Sequence, residues 1–135
     1  MNGSETEKSR IVVDTNVIFM ALYNENSKAG KIIEYANNDK IELFSPDSVK
    51  EELTDVLKRE MELSDAEIVL IIENLPITWV EKPIYEKFLK QTKVKHKADK
   101  PVEAVSLILG CGILTADKHF KNRIDVNELL EKLGE

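Results

Sequence analysis

The sequence predicts an α/β/α sandwich: a central, mostly parallel sheet of four or five strands covered by helices. Three observations predict it. Short runs rich in β-branched residues (Arg10–Val13, Ile41–Phe44, Ile77–Val80 and Ile113–Leu114) alternate with longer amphipathic segments. No Asn-Gly hairpin signal joins any two of these runs. Two of them lead into aspartates, Asp14 directly after the first and Asp117 after Thr115-Ala116 beyond the fourth, and carboxylates at the carboxyl ends of parallel strands usually face a shared crevice.

The polar start, residues 1–9, is expected to be a flexible tail, with residues 10–135 forming one domain. Arg10–Val13 is the first strand, cut off by Asp14-Thr15-Asn16. Thr15 or Asn16 is expected to cap a helix over Val17–Tyr23. Ser27 can cap a second helix running to about Asn37, with Ile32, Ile33, Tyr35 and Ala36 on its apolar face. Ile41–Phe44 is the second strand, closed by Ser45-Pro46. In the next helix Val49, Leu53, Val56 and Leu57 recur at three- and four-residue steps. Ser64 and Glu67 form a capping box that opens a helix through Leu75, ended by Pro76. Ile77–Val80 is the third strand, and Pro83 suits the first turn of a helix reaching about Lys93. A basic loop, Lys93–Asp99, follows. Asp99 is expected to cap a deeply packed helix that Gly110 terminates. Ile113–Leu114 is the fourth strand, a short one is expected near Arg123–Val126, and the last helix spans Val126–Leu133.

Bulk properties exclude several function classes. A net charge of −6 argues against a nonspecific nucleic-acid coating protein, which would be basic. The lone cysteine, Cys111, cannot form an intrachain disulfide or a cysteine-rich zinc site, and it reads as a small buried residue at a helix-to-strand junction. No apolar run approaches the roughly 20 residues of a membrane span, and the polar start lacks a signal peptide's apolar segment, so a cytoplasmic protein is expected.

The chemistry is expected from carboxylates. Asp14 and Asp117 occupy matching strand-end places, Glu51 and Glu52 begin an amphipathic helix, and Asp99 begins another. Each has an ordinary structural reading as a cap, a turn or a solvated charge. Together they point to one crevice, where several carboxylates repel one another unless a divalent cation neutralises them. That favours metal-dependent chemistry on phosphate esters. Adjacent glutamates project about 100° apart on a helix, so only one of Glu51 and Glu52 can face the crevice.

These residues, in this order, resemble the PIN domain. The resemblance runs from Arg10 to about Leu133 and rests on Asp14-Thr15-Asn16-Val17, on Glu52-Leu53 with Val56-Leu57, on Asp99 with Ala104, and on Ile113-Leu114-Thr115 with Asp117-Lys118-His119-Phe120. It implies a parallel sheet sandwiched by helices and an endoribonuclease dependent on Mg²⁺ or Mn²⁺. Asp14, Glu52, Asp99 and Asp117 would be the acidic quartet and metal ligands, with Asn16 and Thr115 in support. The segment between Ser45 and the glutamates is one residue longer than the resemblance leads one to expect, which keeps Glu51 as an alternative. No further acid follows Asp117, which weakens the case for a second metal. The resemblance also implies an RNA substrate, and many such proteins are the toxin halves of toxin–antitoxin pairs, which makes an antitoxin a candidate partner. A homodimer is expected, since helix faces are apolar to spare.

RNA contacts are expected from Lys93, Lys95, Lys97 and Lys118, which flank Asp99 and Asp117. His119 reads as a residue supporting the site or touching RNA, and Trp79 as core or dimer interface. Two rivals remain. One is an inactive PIN-like scaffold, which would not need all four acids. The other is a response-regulator-like domain, which expects a phosphorylatable aspartate on a middle strand, where this chain has Ser45-Pro46 and Glu81-Lys82.

Overall fold

A computed structural model describes residues 8–135 of the chain. Five strands make one sheet: β1 (Ser9–Val13), β2 (Ile41–Pro46), β3 (Ile77–Val80), β4 (Ile113–Leu114) and β5 (Arg123–Ile124). Every neighbouring pair is parallel, in the order β3-β2-β1-β4-β5. Helices cover both faces: α1 (Thr15–Tyr23), α2 (Lys28–Asn37), α3 (Asp47–Met61), α4 (Asp65–Glu73), α5 (Lys82–Tyr85), α6 (Lys100–Leu109) and α7 (Val126–Lys132).

The strand order positions the site. From β1 the chain steps to β2 and β3 in one direction, then returns to the other side of β1 for β4 and β5. Right-handed crossovers therefore send α1–α4 over one face and α5–α6 over the other. β1 and β4 are neighbours whose onward connections diverge. A crevice opens at their carboxyl ends, where ligand sites form in open α/β sheets. The register there is set by main-chain bonds from Val12 N–H to Gly112 O and from Asp14 N–H to Leu114 O, both 3.0 Å.

β1 and β4 are covered on both faces, which explains why Ile11–Val13 and Ile113–Leu114 read as unbroken apolar runs, whereas β2 carries the exposed Glu42. Val12, Val13, Leu43, Ile113 and Leu114 are buried, with Ile32 of α2, Val49, Leu53 and Leu57 of α3, and Val102, Ala104 and Val105 of α6 packed in the same core. Each fully buried aliphatic side chain contributes about 1.5–3 kcal/mol relative to exposure.

Several local expectations are corrected. Ser9 belongs to β1 and not to a tail; the remainder of the expected tail, residues 1–7, lies outside the described residues. Asp14, not Thr15 or Asn16, caps α1: its backbone is extended and its carboxylate accepts the Thr15 N–H at 2.8 Å. β2 continues through Ser45 and Pro46, which pair with Trp79 and Val80; proline fits at a strand end where it need not donate. The helix expected from Pro83 to Lys93 is one α-turn followed by a 3₁₀ segment, Glu86–Gln91. A second 3₁₀ turn, Lys97–Asp99, precedes α6, and Asp99 makes no side-chain capping bond because its own backbone is already helical. α6 is less deeply packed than expected, with Leu107 43% exposed. Cys111 is half-buried. Trp79, also half-buried, packs against the core, and the Lys50 ammonium lies 5.4 Å from its ring centre.

Candidate active site

Asp14 ends β1 and starts α1, so its carboxylate is held by the strand on one side and the helix N-terminus on the other. It is 7% exposed. Oδ1 accepts from Thr15 N–H. Oδ2 accepts from the Thr115 hydroxyl at 2.8 Å and from Asn16 Nδ2 at 3.3 Å. Thr115 follows β4, and its hydroxyl oxygen in turn accepts the Asp117 N–H at 3.0 Å. Asn16 closes the circuit: Oδ1 accepts the Ala116 N–H at 3.1 Å. Asn16 and Thr115, the two polar residues expected to support the acids, both bond to the Asp14 carboxylate.

Glu52 is reached from the next residue of α1. The Thr15 hydroxyl donates to Glu52 Oε1 at 2.7 Å, joining α1 to α3. Glu51 does not line the cavity; its charge reaches Tyr85, whose hydroxyl is pushed upward by burial first and by Asp47 next. Of the two glutamates, Glu52 is the one that lines the cavity.

Asp14, Glu52, Asp99 and Asp117 line one cavity of about 400 Å³ with Thr15, Asn16, Phe19, Val56 and Glu60. The four predicted acids come from four separate segments, the β1–α1 junction, α3, the turn before α6 and the loop after β4, so the fold itself brings them together. Burial pushes the Asp14 carboxyl up; the Thr115 hydroxyl and Thr15 N–H pull it down, and Glu52 and Asp99 push it up again. Asp99 is likewise raised by burial and then by Asp117, while His96 and His119 lower it. The cavity therefore gathers like charges that its hydrogen-bond donors offset only in part.

That donor set is all carboxylate oxygen, the chemistry of a hard divalent cation such as Mg²⁺ or Mn²⁺. As the side chains stand, among the described residues no three His, Cys, Asp or Glu come close enough together to hold a metal ion. Like-charge repulsion acts in that direction, and Asp117 Oδ1 is engaged by the His119 N–H at 2.9 Å and by the His119 ring Nδ1 at 2.6 Å.

Lys93, Lys95, Lys97 and Lys118 are exposed and do not line the cavity. Their segments nevertheless meet, because the rings of His96 and His119 lie 5.9 Å apart. The Lys93 and Val94 N–H groups both donate to Glu103 Oε1, at 2.7 and 3.0 Å, which fastens the basic loop to α6.

Glu60, Val56 and Phe19 are cavity residues that sequence reasoning missed. Glu60 stands two helical turns beyond Glu52, with Val56 midway, so the four-residue spacing held the signal. Phe19 carried no comparable signal. Thr15, expected as a cap, instead bonds Glu52.

No helix among the described residues is long and apolar enough to cross a membrane. A search of curated proteins returns no match to this chain. A sequence model described as the PIN domain matches residues 12–129, a span that opens inside β1 and ends inside α7. PIN domains are in general nucleases that use divalent metal ions. With the match covering most of its length and the parallel sheet in place, the chain belongs to the PIN domain family.

Proposed function

We propose that this protein is an endoribonuclease, dependent on Mg²⁺ or Mn²⁺, that hydrolyses phosphodiester bonds in RNA. The observation that carries the reading is the convergence of Asp14, Glu52, Asp99 and Asp117 on one cavity at the β1/β4 switch point. These four carboxylates would hold the metal. Bound there, the cation would lower the pKa of a water ligand and neutralise charge on the scissile phosphate.

The chain's own residues account for the rest. Three donors orient the Asp14 carboxylate: Thr15 N–H, the Thr115 hydroxyl and Asn16 Nδ2. Thr15 orients Glu52. Asp99 makes no side-chain capping bond, which leaves its carboxylate free to complete the metal's shell or to orient the attacking water. In-line attack would leave a 5′-phosphate. Lys93, Lys95, Lys97 and Lys118 would meet the flanking phosphates.

The toxin half of a cytoplasmic toxin–antitoxin pair is one biological form of the proposal, and an RNA-processing nuclease is the other. The apolar surface on α1, where Met20 and Tyr23 are 46% and 67% exposed beside the cavity residue Phe19, supports a protein interface such as that of a homodimer and does not choose between them.

The test is cleavage of single-stranded RNA by the wild type, Asp14→Asn and Asp117→Asn in Mn²⁺, with end analysis of the products. Wild-type cleavage yielding 5′-phosphates is expected. Each variant should lose more than the about 10–100-fold typical of residues that only support metal ligands. Cleavage that continues unchanged in a chelator, or in both variants, would overturn the reading.

A further inference from the structure

We propose that Phe19, Val56 and Glu60 form a base-reading subsite continuous with the acidic cavity, and that it selects guanine beside the bond that is cut. This rests on the nuclease reading above and adds to it the base that the site prefers.

The subsite follows from how two helices meet. The Thr15 hydroxyl, in the first turn of α1, holds Glu52 of α3 at 2.7 Å. From that bond each helix leads away in steps of one turn, from Thr15 to Phe19 on α1 and from Glu52 through Val56 to Glu60 on α3. All five residues line the one cavity. The cavity therefore runs on for about 12 Å of helix past Glu52, beyond the acids proposed to hold the metal.

That extension has its own chemistry. Phe19 is half-buried and packed against the core, and its ring centre lies 5.6 Å from that of Tyr23, so the ring is held in place. Val56 is half-buried as well. Together they give the extension apolar walls, with the Glu60 carboxylate at its far end. Among the described residues no lysine or arginine lines the cavity. Apolar walls ending in a carboxylate repel a phosphate and suit a flat, neutral group that donates hydrogen bonds. Glu60 does meet Arg59 Nε at 3.8 Å, but the two side chains are 52% and 65% exposed, and a pair that loose and open holds its carboxylate weakly.

Among the bases guanine fits best. Its Watson–Crick edge sets the N1–H and N2–H donors side by side, where one carboxylate accepts both. Adenine and cytosine each place an amino group next to a bare ring nitrogen, whose lone pair would face the carboxylate. Uracil places its single N–H between two carbonyl oxygens.

The experiment measures kcat/KM for cleavage in Mn²⁺, by the full chain, of short uridine RNAs that carry one guanosine, inosine or adenosine, with the cut mapped by end analysis. The wild type is expected to favour the guanosine RNA over the adenosine RNA by about ten-fold or more. Inosine, which keeps N1–H and lacks the N2 amino group, is expected to fall between them. Glu60→Ala is expected to level the three RNAs. Calorimetry of Glu60→Ala with Mn²⁺ alone separates base reading from metal binding, and its melting temperature guards against a folding defect. Equal cleavage of the three RNAs by the wild type, or a guanosine preference that survives Glu60→Ala, would overturn the inference. So would loss of Mn²⁺ binding in a folded Glu60→Ala, which would make Glu60 a metal ligand. A wild type that cuts all three RNAs equally overturns this inference alone. One that cuts none of them overturns the nuclease reading and this inference with it.

Discussion

The Thr115 hydroxyl donates to Asp14 Oδ2 at 2.8 Å across 101 positions of sequence, joining the end of β4 to the end of β1 at the acidic cavity. The same oxygen accepts the Asp117 N–H, so one side chain sets the relation between two of the proposed metal ligands. Thr115→Val leaves a buried carboxylate and an amide without that partner. Urea melts should show a loss of about 1–3 kcal/mol, and Mn²⁺ affinity should fall by about 10–100-fold. Thr115→Ser should restore most of both. A valine variant with wild-type stability and affinity would show that the hydroxyl does not organise the site.

Asp99 supplies a prediction with a definite sign in pH. Burial first, then the Asp117 carboxylate, raises its carboxyl above the ordinary range. Such a group binds more protons folded than unfolded, so it costs stability as pH rises from the ordinary carboxylate value through the raised one, and the cost is complete above that. In a chelator at neutral pH, Asp99→Asn should therefore raise Tm. The gain should vanish as the solution is acidified below the ordinary carboxylate range. A variant that melts below the wild type at neutral pH, or gains equally at every pH, contradicts this account of the cavity.

Glu51 and Glu52 are neighbours in sequence with opposite expected behaviour. Glu52 meets the Thr15 hydroxyl in the cavity, whereas Glu51 is exposed and does not line it. Glu52→Gln should weaken Mn²⁺ binding and cleavage by more than about ten-fold. Glu51→Gln should leave both at the wild-type level. The reverse pattern in calorimetry would mean that α3 sits in another rotation when metal binds.

Lys95 and Lys97 are exposed and lie on either side of His96. Reversing both to glutamate should weaken RNA binding and flatten its dependence on salt, each lost contact lowering the slope by about 0.7 for a single strand. An unchanged slope would remove these lysines from the RNA path.

The strands and the quartet were legible in the sequence because they rest on local signals. Buried parallel strands appear as β-branched runs, and Asp14 and Asp117 punctuate two of them. Glu52 could be narrowed only to a pair, since helix rotation decides which neighbour turns inward and α1 sets that rotation through Thr15. The cap of α1 was misplaced by one or two residues because Asp14, Thr15 and Asn16 are all competent caps, and tertiary bonds to Thr115 select Asp14. The 3₁₀ segment at Glu86–Gln91 and the turn before Asp99 left no periodic trace. The meeting of His96 with His119 depends on the crossover from β3 to β4, a relation between distant segments that spacing alone does not carry.

The central claim, that the four carboxylates are a divalent-cation site, is tested most directly by calorimetric titration of Mn²⁺ into the wild type and Asp117→Asn, with no RNA present. Saturable binding in the wild type that Asp117→Asn abolishes is the predicted result. Heats indistinguishable from dilution in both proteins, or equal binding in both, would contradict it.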